Sequence, residues 1–372
     1  MLNLFRCCAV LLCVPLALSA QSGDPQQLFQ RAVAAQQSGD DLTAARIYEQ
    51  LLEAHPEAIA VRVNLAATYA HQKRFDDAIG QYRAALAGDA GNLPVRVNLA
   101  LAYEEKGRLK QAAQELEIAH HAKPGDPQAA ILLGDCYNRL GRYADAVAVL
   151  MPIEASQPED LDLAWQLGSA LVHAGHPEEG LKRTDRVAKA ASNADAYLLG
   201  AQTRLALMQY DLARRDADAA ARLNPRLAGL QTLRGMILEQ TGDYANAETA
   251  LRKALSANPQ DFGAHFYLGA ILYFNRSMPE AQGELETALQ LRPGSSQARY
   301  ELALVLSAED ELDAAVKNLE TVVGRSPTWI QPHIELSALY YKLHRPEDGA
   351  RQREIVDRLT KENDGRSPGP MP

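Results

Sequence analysis

The sequence predicts an all-α solenoid, a stack of short helix pairs, and three observations predict it. Proline recurs as a ruler: Pro56, Pro124, Pro158, Pro225, Pro259, Pro293 and Pro327 stand 68, 34, 67, 34, 34 and 34 residues apart. The phrase VRVNLA is written twice, at 61–66 and 95–100, again 34 residues apart. Within each period, small and large apolar residues return at helical spacing, as in Ala281, Leu285 and Ala288 at i, i+4 and i+7. A fixed period of this length marks a repeat architecture.

Composition agrees. Of 372 residues, 47% are hydrophobic but only 6% aromatic, so the apolar content leans on Ala and Leu, which lose little on entering a helix. The length exceeds what one ordinary core holds. The formal net charge of −9, with no run of Lys and Arg, excludes nucleic acid as the main partner, since phosphate binding needs a basic stripe.

Residues 1–20, MLNLFRCCAVLLCVPLALSA, carry one charge, Arg6, then an apolar run from Cys7 to Leu18 closed by Ser19 and Ala20. This order reads as a cleavable secretory signal peptide, and the run is short for a transmembrane helix. The alternative is an uncleaved membrane anchor. Cleavage after Ala20 removes Cys7, Cys8 and Cys13 and leaves Cys136 alone, so no internal disulfide is expected. Such a protein would sit in the periplasm of a Gram-negative cell, or outside it, with no integral span after cleavage.

Ten repeats follow, near 25–58, 59–92, 93–126, 127–160, 161–193, 194–227, 228–261, 262–295, 296–329 and 330–361. Each reads as two helices of about a dozen residues, too short to be stable alone. A Gly is expected to end the first, as at Gly107, Gly141 and Gly242. The second stops before Pro, or before the turn residues GDAGN at 88–92 and ASNAD at 191–195. Small residues such as Gly134, Gly269 and Ala281 let paired helices approach, and Leu133, Leu150, Leu251 and Leu285 fill the space beyond. Residues 362–372, rich in Pro, Gly and Ser, are expected to form a disordered tail.

These marks resemble the tetratricopeptide repeat family: L-G…Y, then G-x-Y-x-x-A, then A, then P, in 34-residue units. The resemblance covers roughly residues 25–361. It weakens in the middle, where Gly180 stands for Ala, Thr184 for a large apolar residue and Leu207-Met208 for the turn Gly, so that region is expected to be looser or bent. The tenth repeat, with Pro346 and Gly349, is expected to act as a cap. The resemblance implies a right-handed superhelix whose first helices line a concave groove. It places Val63, Asn64 and Ala67 there, then Val97, Asn98 and Leu101, then Ile131, Asp135, Asn138 and Arg139, then Trp165, Gln166 and Ser169.

Asn64 and Asn98 occupy equivalent sites, and an amide both donates and accepts, so a row of them can grip a peptide backbone. Leu132 interrupts the row, and the competing reading is that both amides bond to neighbouring helices. Farther on, Phe266, Tyr267, Tyr273, Phe274, Tyr300 and Tyr341 offer aromatic anchors, against the reading that they are core. The basic clamp with which some members of the family hold a C-terminal carboxylate is missing, since Phe29, Val33 and Leu132 stand in its places. No Gly-rich phosphate loop or HExxH motif occurs. His120-His121 and His173 with His176 lack further ligands for a metal. Cys136 reads as a buried inert thiol, and Arg214-Arg215-Asp216 as a solvated face. The expectation is therefore a protein- or peptide-binding scaffold with no enzymatic activity and no cofactor. The alternative is a non-catalytic subunit of an envelope machine for secretion or polysaccharide export.

Overall fold

The computed structural model describes residues 24–364, and everything regular among them is α-helical. The chain divides into two compact halves between Ala191 and Ser192. The N-terminal half holds five helix pairs: α1 (Pro25–Gln37) with α2 (Asp41–Ala54), α3 (Ile59–His71) with α4 (Phe75–Gly88), α5 (Leu93–Glu105) with α6 (Leu109–Ala122), α7 (Pro127–Arg139) with α8 (Tyr143–Glu154), and α9 (Leu161–His173) with α10 (Pro177–Ala190). The C-terminal half holds five more: α11 (Ala194–Ala206) with α12 (Tyr210–Leu223), α13 (Leu230–Gln240) with α14 (Tyr244–Ala257), α15 (Phe262–Phe274) with α16 (Met278–Leu291), α17 (Ser296–Ala308) with α18 (Leu312–Arg325), and α19 (Ile330–Lys342) with α20 (Pro346–Asp364). The fold class is the predicted one, a solenoid of about ten helix pairs. The leader at 1–20 and residues 365–372 of the expected tail lie outside the described residues.

Most first helices start on polar caps; α3, α13 and α19, preceded by Ala58, Gly229 and Trp329, do not. The side chains of Asp126, Asp160 and Asp261 accept from the backbone N–H groups of Gln128, Leu163 and Ala264 at 3.0, 3.0 and 3.1 Å. They end in one residue with positive φ, and here the expectation of glycine is corrected. The left-handed position is Gly39, Lys73, Gly107, Gly141 and Gly175 in the N-terminal half, then Met208, Gly242, Arg276, Asp310 and His344 in the C-terminal half. The spacing is 34 throughout, except 33 from Gly175 to Met208. The packed helix on either side therefore holds five ordinary side chains in a conformation that costs each of them about 1–2 kcal/mol.

Paired helices lock through a glycine and a leucine sixteen residues on. A Cβ added to Gly134, Gly235 or Gly269 would come within 2.5, 2.5 and 2.6 Å of Leu150, Leu251 and Leu285, all fully buried. Each such leucine is worth about 1.5–3 kcal/mol. The fifth pair, expected to be loose, is close-packed instead: a Cβ on Gly180 would lie 2.7 Å from the Gly168 carbonyl oxygen. Small Thr184 fits there because α9 and α10 approach so nearly, and it is fully buried. In the sixth pair the leucine position holds Asp216, ion-paired with Arg204 and shielded from solvent, so Asp216 does not belong to a solvated face as its neighbours Arg214 and Arg215 do.

Successive pairs are joined by tyrosine staples. Tyr69, Tyr137 and Tyr340 donate to Glu49, Glu117 and Glu320 on the preceding second helix at 2.6, 2.8 and 2.7 Å. Arg74, Arg142 and Arg345 lie over the three rings and pair with Asp77, Asp145 and Asp348. A second device ties the inter-repeat turn down. Arg62, Arg96 and Arg299 donate to the carbonyl oxygens of Pro56, Ala90 and Pro293, and also reach Gln81, Glu115 and Asn318 on the second helix. His265 and His333 bridge the same two places with their two ring nitrogens.

First helices of successive pairs also touch one another, α1 with α3, α3 with α5 and α7 with α9, and likewise α11 with α13, α13 with α15 and α15 with α17. Second helices of successive pairs do not approach to that extent among the described residues. Within each half, the first helices therefore line the shorter, inner side.

Candidate functional site

The inner side is built from four positions of the repeat. One runs through Asn64, Asn98, Leu132 and Gln166 in the N-terminal half, and through Leu199, Leu233, Tyr267, Glu301 and Glu335 in the C-terminal half. The position six residues later runs through Ala70, Glu104, Asn138 and Val172, then Leu205, Glu239, Tyr273, Ser307 and Tyr341. Trp165, Phe266 and Tyr300 share a third, and Arg139 and Phe274 a fourth. Offsets of one, six and seven residues keep all four on one face of a helix.

In the N-terminal half the charged side chains serve one another, whereas several amide groups go unmet. Asn64 is only 4% exposed, packed beside the buried Tyr48 hydroxyl, and its amide nitrogen has no partner. Asn98 is half-buried. Asn138 donates to the Gln166 backbone carbonyl at 3.1 Å, which leaves the side-chain carbonyls of both Asn138 and Gln166 buried without a donor. Arg139 is exposed and pairs with Glu104 at 3.1 Å and Asp135 at 3.3 Å. Glu104 also accepts from the Cys136 thiol at 3.4 Å. Burial, then Asp135, pushes the Glu104 carboxyl above the usual range, against the pull of Cys136 and Arg139. Burial and Glu104 push the fully buried Cys136 thiol far up, so it does not ionise. Trp165 is half-buried. His173 stacks on Tyr143 at 4.6 Å, and among the described residues no group of three or more His, Cys, Asp or Glu is placed to hold a metal ion.

In the C-terminal half the six aromatic residues do not form one cluster. Phe266 packs edge-on to Tyr267 at 4.9 Å and parallel to Phe262, which Arg292 covers. Phe274, 62% exposed, leans on Tyr244 of α14, in the preceding pair, at 4.4 Å. Tyr341 is 43% exposed against Gly349, where an added Cβ would meet its ring at 2.9 Å. Tyr267, Tyr273 and Tyr300 are half-buried, and Tyr300 packs on Trp329 at 4.8 Å. Three carboxylates share the space of these tyrosines. Burial and then Glu239 raise Tyr267. Burial, then Glu335, Glu301 and Tyr273, push Tyr300 up to about 12. Burial and then Glu239, across α15, push Glu301 above the usual carboxylate range, and no cation opposes the shift.

Sequence reasoning missed Glu239, Glu301 and Glu335. The signal was present: stepping on from Asn64 by the repeat period lands on Glu301 and Glu335.

Profiles of the tetratricopeptide repeat family match residues 70–119 and 107–171, and residues 29–92, 198–262 and 232–281. Comparison with curated proteins returns no match. Among solved structures, the Cut9–Hcn1 hetero-tetramer of the APC/C is similar at 14% identity, with a TM-score of 0.54 over 91% of this chain and 88% of that one. Yeast Tom70 is similar at 14% identity and a TM-score of 0.41 over 90% and 92% of the two chains. MamA of Desulfovibrio magneticus RS-1 is similar at 24% identity and 0.43 over 46% and 97%.

Proposed function

Because the chain belongs to the tetratricopeptide repeat family, we propose that it is a non-catalytic scaffold that holds extended segments of partner proteins along the inner faces of its first helices. The observation that carries this reading is the unmet polar chemistry of those faces. Buried polar atoms in folded proteins are nearly always paired, yet the side-chain carbonyls of Asn138 and Gln166 have no donor. Both oxygens are covered while both residues are only half-buried, so a peptide backbone laid across α7 and α9 supplies the missing N–H groups as the two side chains turn outward. The fold hosts many roles, so the lining rather than the architecture selects the partner.

The leader-like order of residues 1–20 supports export, and none of the described helices is long and apolar enough to cross a membrane. Cell fractionation separates a free exported adaptor, recovered in the soluble fraction, from an envelope-machine subunit, which sediments with membranes. The scaffold reading is tested by pull-down from envelope extract with the full chain as bait, beside a variant carrying Asn98→Ala, Gln166→Ala, Tyr273→Ala and Phe274→Ala. A protein captured by the first and lost from a still-helical second is the expected result. Equal capture by both would move the interface off the first helices.

A further inference from the structure

The C-terminal half presents a face whose charge no cation among the described residues neutralises. Glu239 on α13, Tyr267 and Tyr273 on α15, Tyr300 and Glu301 on α17 and Glu335 on α19 come from four consecutive first helices. Glu301 is half-buried and has neither an ion pair nor a hydrogen bond among the described residues. The hydroxyls of Tyr267, Tyr273 and Tyr300 are equally unpartnered, unlike those of the staple tyrosines. A partly desolvated carboxylate without a counter-charge destabilises a fold. Tyrosine faces beside it attract cations.

We infer that the face formed by α13, α15, α17 and α19 docks an extended partner segment bearing lysine or arginine, with a cationic side chain seated between Glu239 and Glu301 against the Tyr267 and Tyr273 rings. This rests on the reading of first-helix faces as the peptide-holding surface and specifies the chemistry of one half. Charge complementarity selects the occupant, since an acidic segment meets three carboxylates here. Spacing adds a second requirement. Packed helices lie about 8–10 Å apart, and a chain in the extended polyproline II form advances about 3.1 Å per residue with three residues per turn, so every third side chain faces the same way and one cation falls opposite each repeat.

The test is fluorescence anisotropy of the full chain with a labelled peptide of Lys-Ala-Ala triplets. It is run beside a Glu-Ala-Ala peptide and a peptide of equal composition with its lysines clustered. The triplet peptide is expected to bind best. Glu301→Gln is expected to weaken it about tenfold without lowering the melting temperature, because the variant removes an unpaired charge. Glu286→Gln, the same charge change on the exposed side of α16, should leave affinity unchanged. Equal effects of the two variants, equal binding of the Glu-Ala-Ala or clustered peptide, or no binding of the triplet peptide would each overturn the inference. If the triplet peptide does not bind, yet the inner-face variant still loses its partner in the pull-down, the docking chemistry is wrong and the scaffold reading stands.

Discussion

Glu104 in the N-terminal half and Glu301 in the C-terminal half are both half-buried carboxylates on first helices, and burial raises both. Glu104 is answered from within: a thiol donates to it and Arg139 pairs with it. Glu301 is answered by no hydrogen bond or ion pair among the described residues. The contrast holds for the charged groups and not for the amides: Asn138 donates to backbone but its own carbonyl goes unmet, as do, among the described residues, the hydroxyls of Tyr267 and Tyr273. The packing beneath hardly changes, since Gly134 on Leu150 and Gly269 on Leu285 form the same lock. A repeat of this kind fixes the residues that join its two helices by size and leaves the inner positions chemically open.

The common lock gives the largest expected effects. Leu150→Ala and Leu285→Ala should each cost about 3 kcal/mol in urea unfolding, by lost burial and an unfilled cavity. A large loss at one site with little at the other would break the claim that the halves share their packing.

The carboxylates come next. A carboxyl whose folded-state pKa is raised contributes stability that is fully present below the ordinary carboxylate range and is lost as pH rises through the raised value. Glu301→Gln should therefore remove part of the decline in melting temperature as pH rises above the ordinary carboxylate range. Arg139→Ala should do the reverse at Glu104, steepening the decline and costing about 1 kcal/mol or less near neutral pH, because the guanidinium is half exposed. Matching pH profiles for the two variants would erase the distinction between the answered and unanswered carboxylate.

The smallest effect concerns the turns. Four of five left-handed turn positions are glycine in the N-terminal half, against one of five in the C-terminal half. Met208→Gly should stabilise by about 0.5–1 kcal/mol and Gly141→Met should destabilise by about 1 kcal/mol. Chemical denaturation reads both, and a stabilising Gly141→Met would refute the assignment of strain.

What the sequence disclosed follows from that division of labour. The helix pairs, the fully buried Ala146 and Leu150 and the 34-residue step were legible because packing admits few residue types at those points. Asn64 was less legible. Its repeat position faces inward, but Tyr48 of the preceding pair crowds it and the amide is covered. Glu301 and Glu335 escaped notice because no size rule marks them, and beside Glu301 the aromatic Tyr300 draws the attention. The turn bridges were hidden for another reason: Arg62, Arg96, His265, Arg299 and His333 share one repeat position yet differ in residue type. Geometry makes them equivalent where letters do not.

The tyrosine staples also bear on mechanics. Each repeat contacts its neighbours only, so a stretched solenoid of this kind is a chain of springs in series that yields joint by joint. The joints at Tyr69, Tyr137 and Tyr340 each carry a phenol-to-carboxylate bond under a stacked guanidinium, which ties two pairs together by side chains as well as by apolar contact. Under load these three joints should hold when unstapled ones have parted. Two of them lie in the N-terminal half and the third at the far end of the C-terminal half, so a pull from both ends meets reinforced couplings near each grip and spends its extension between them.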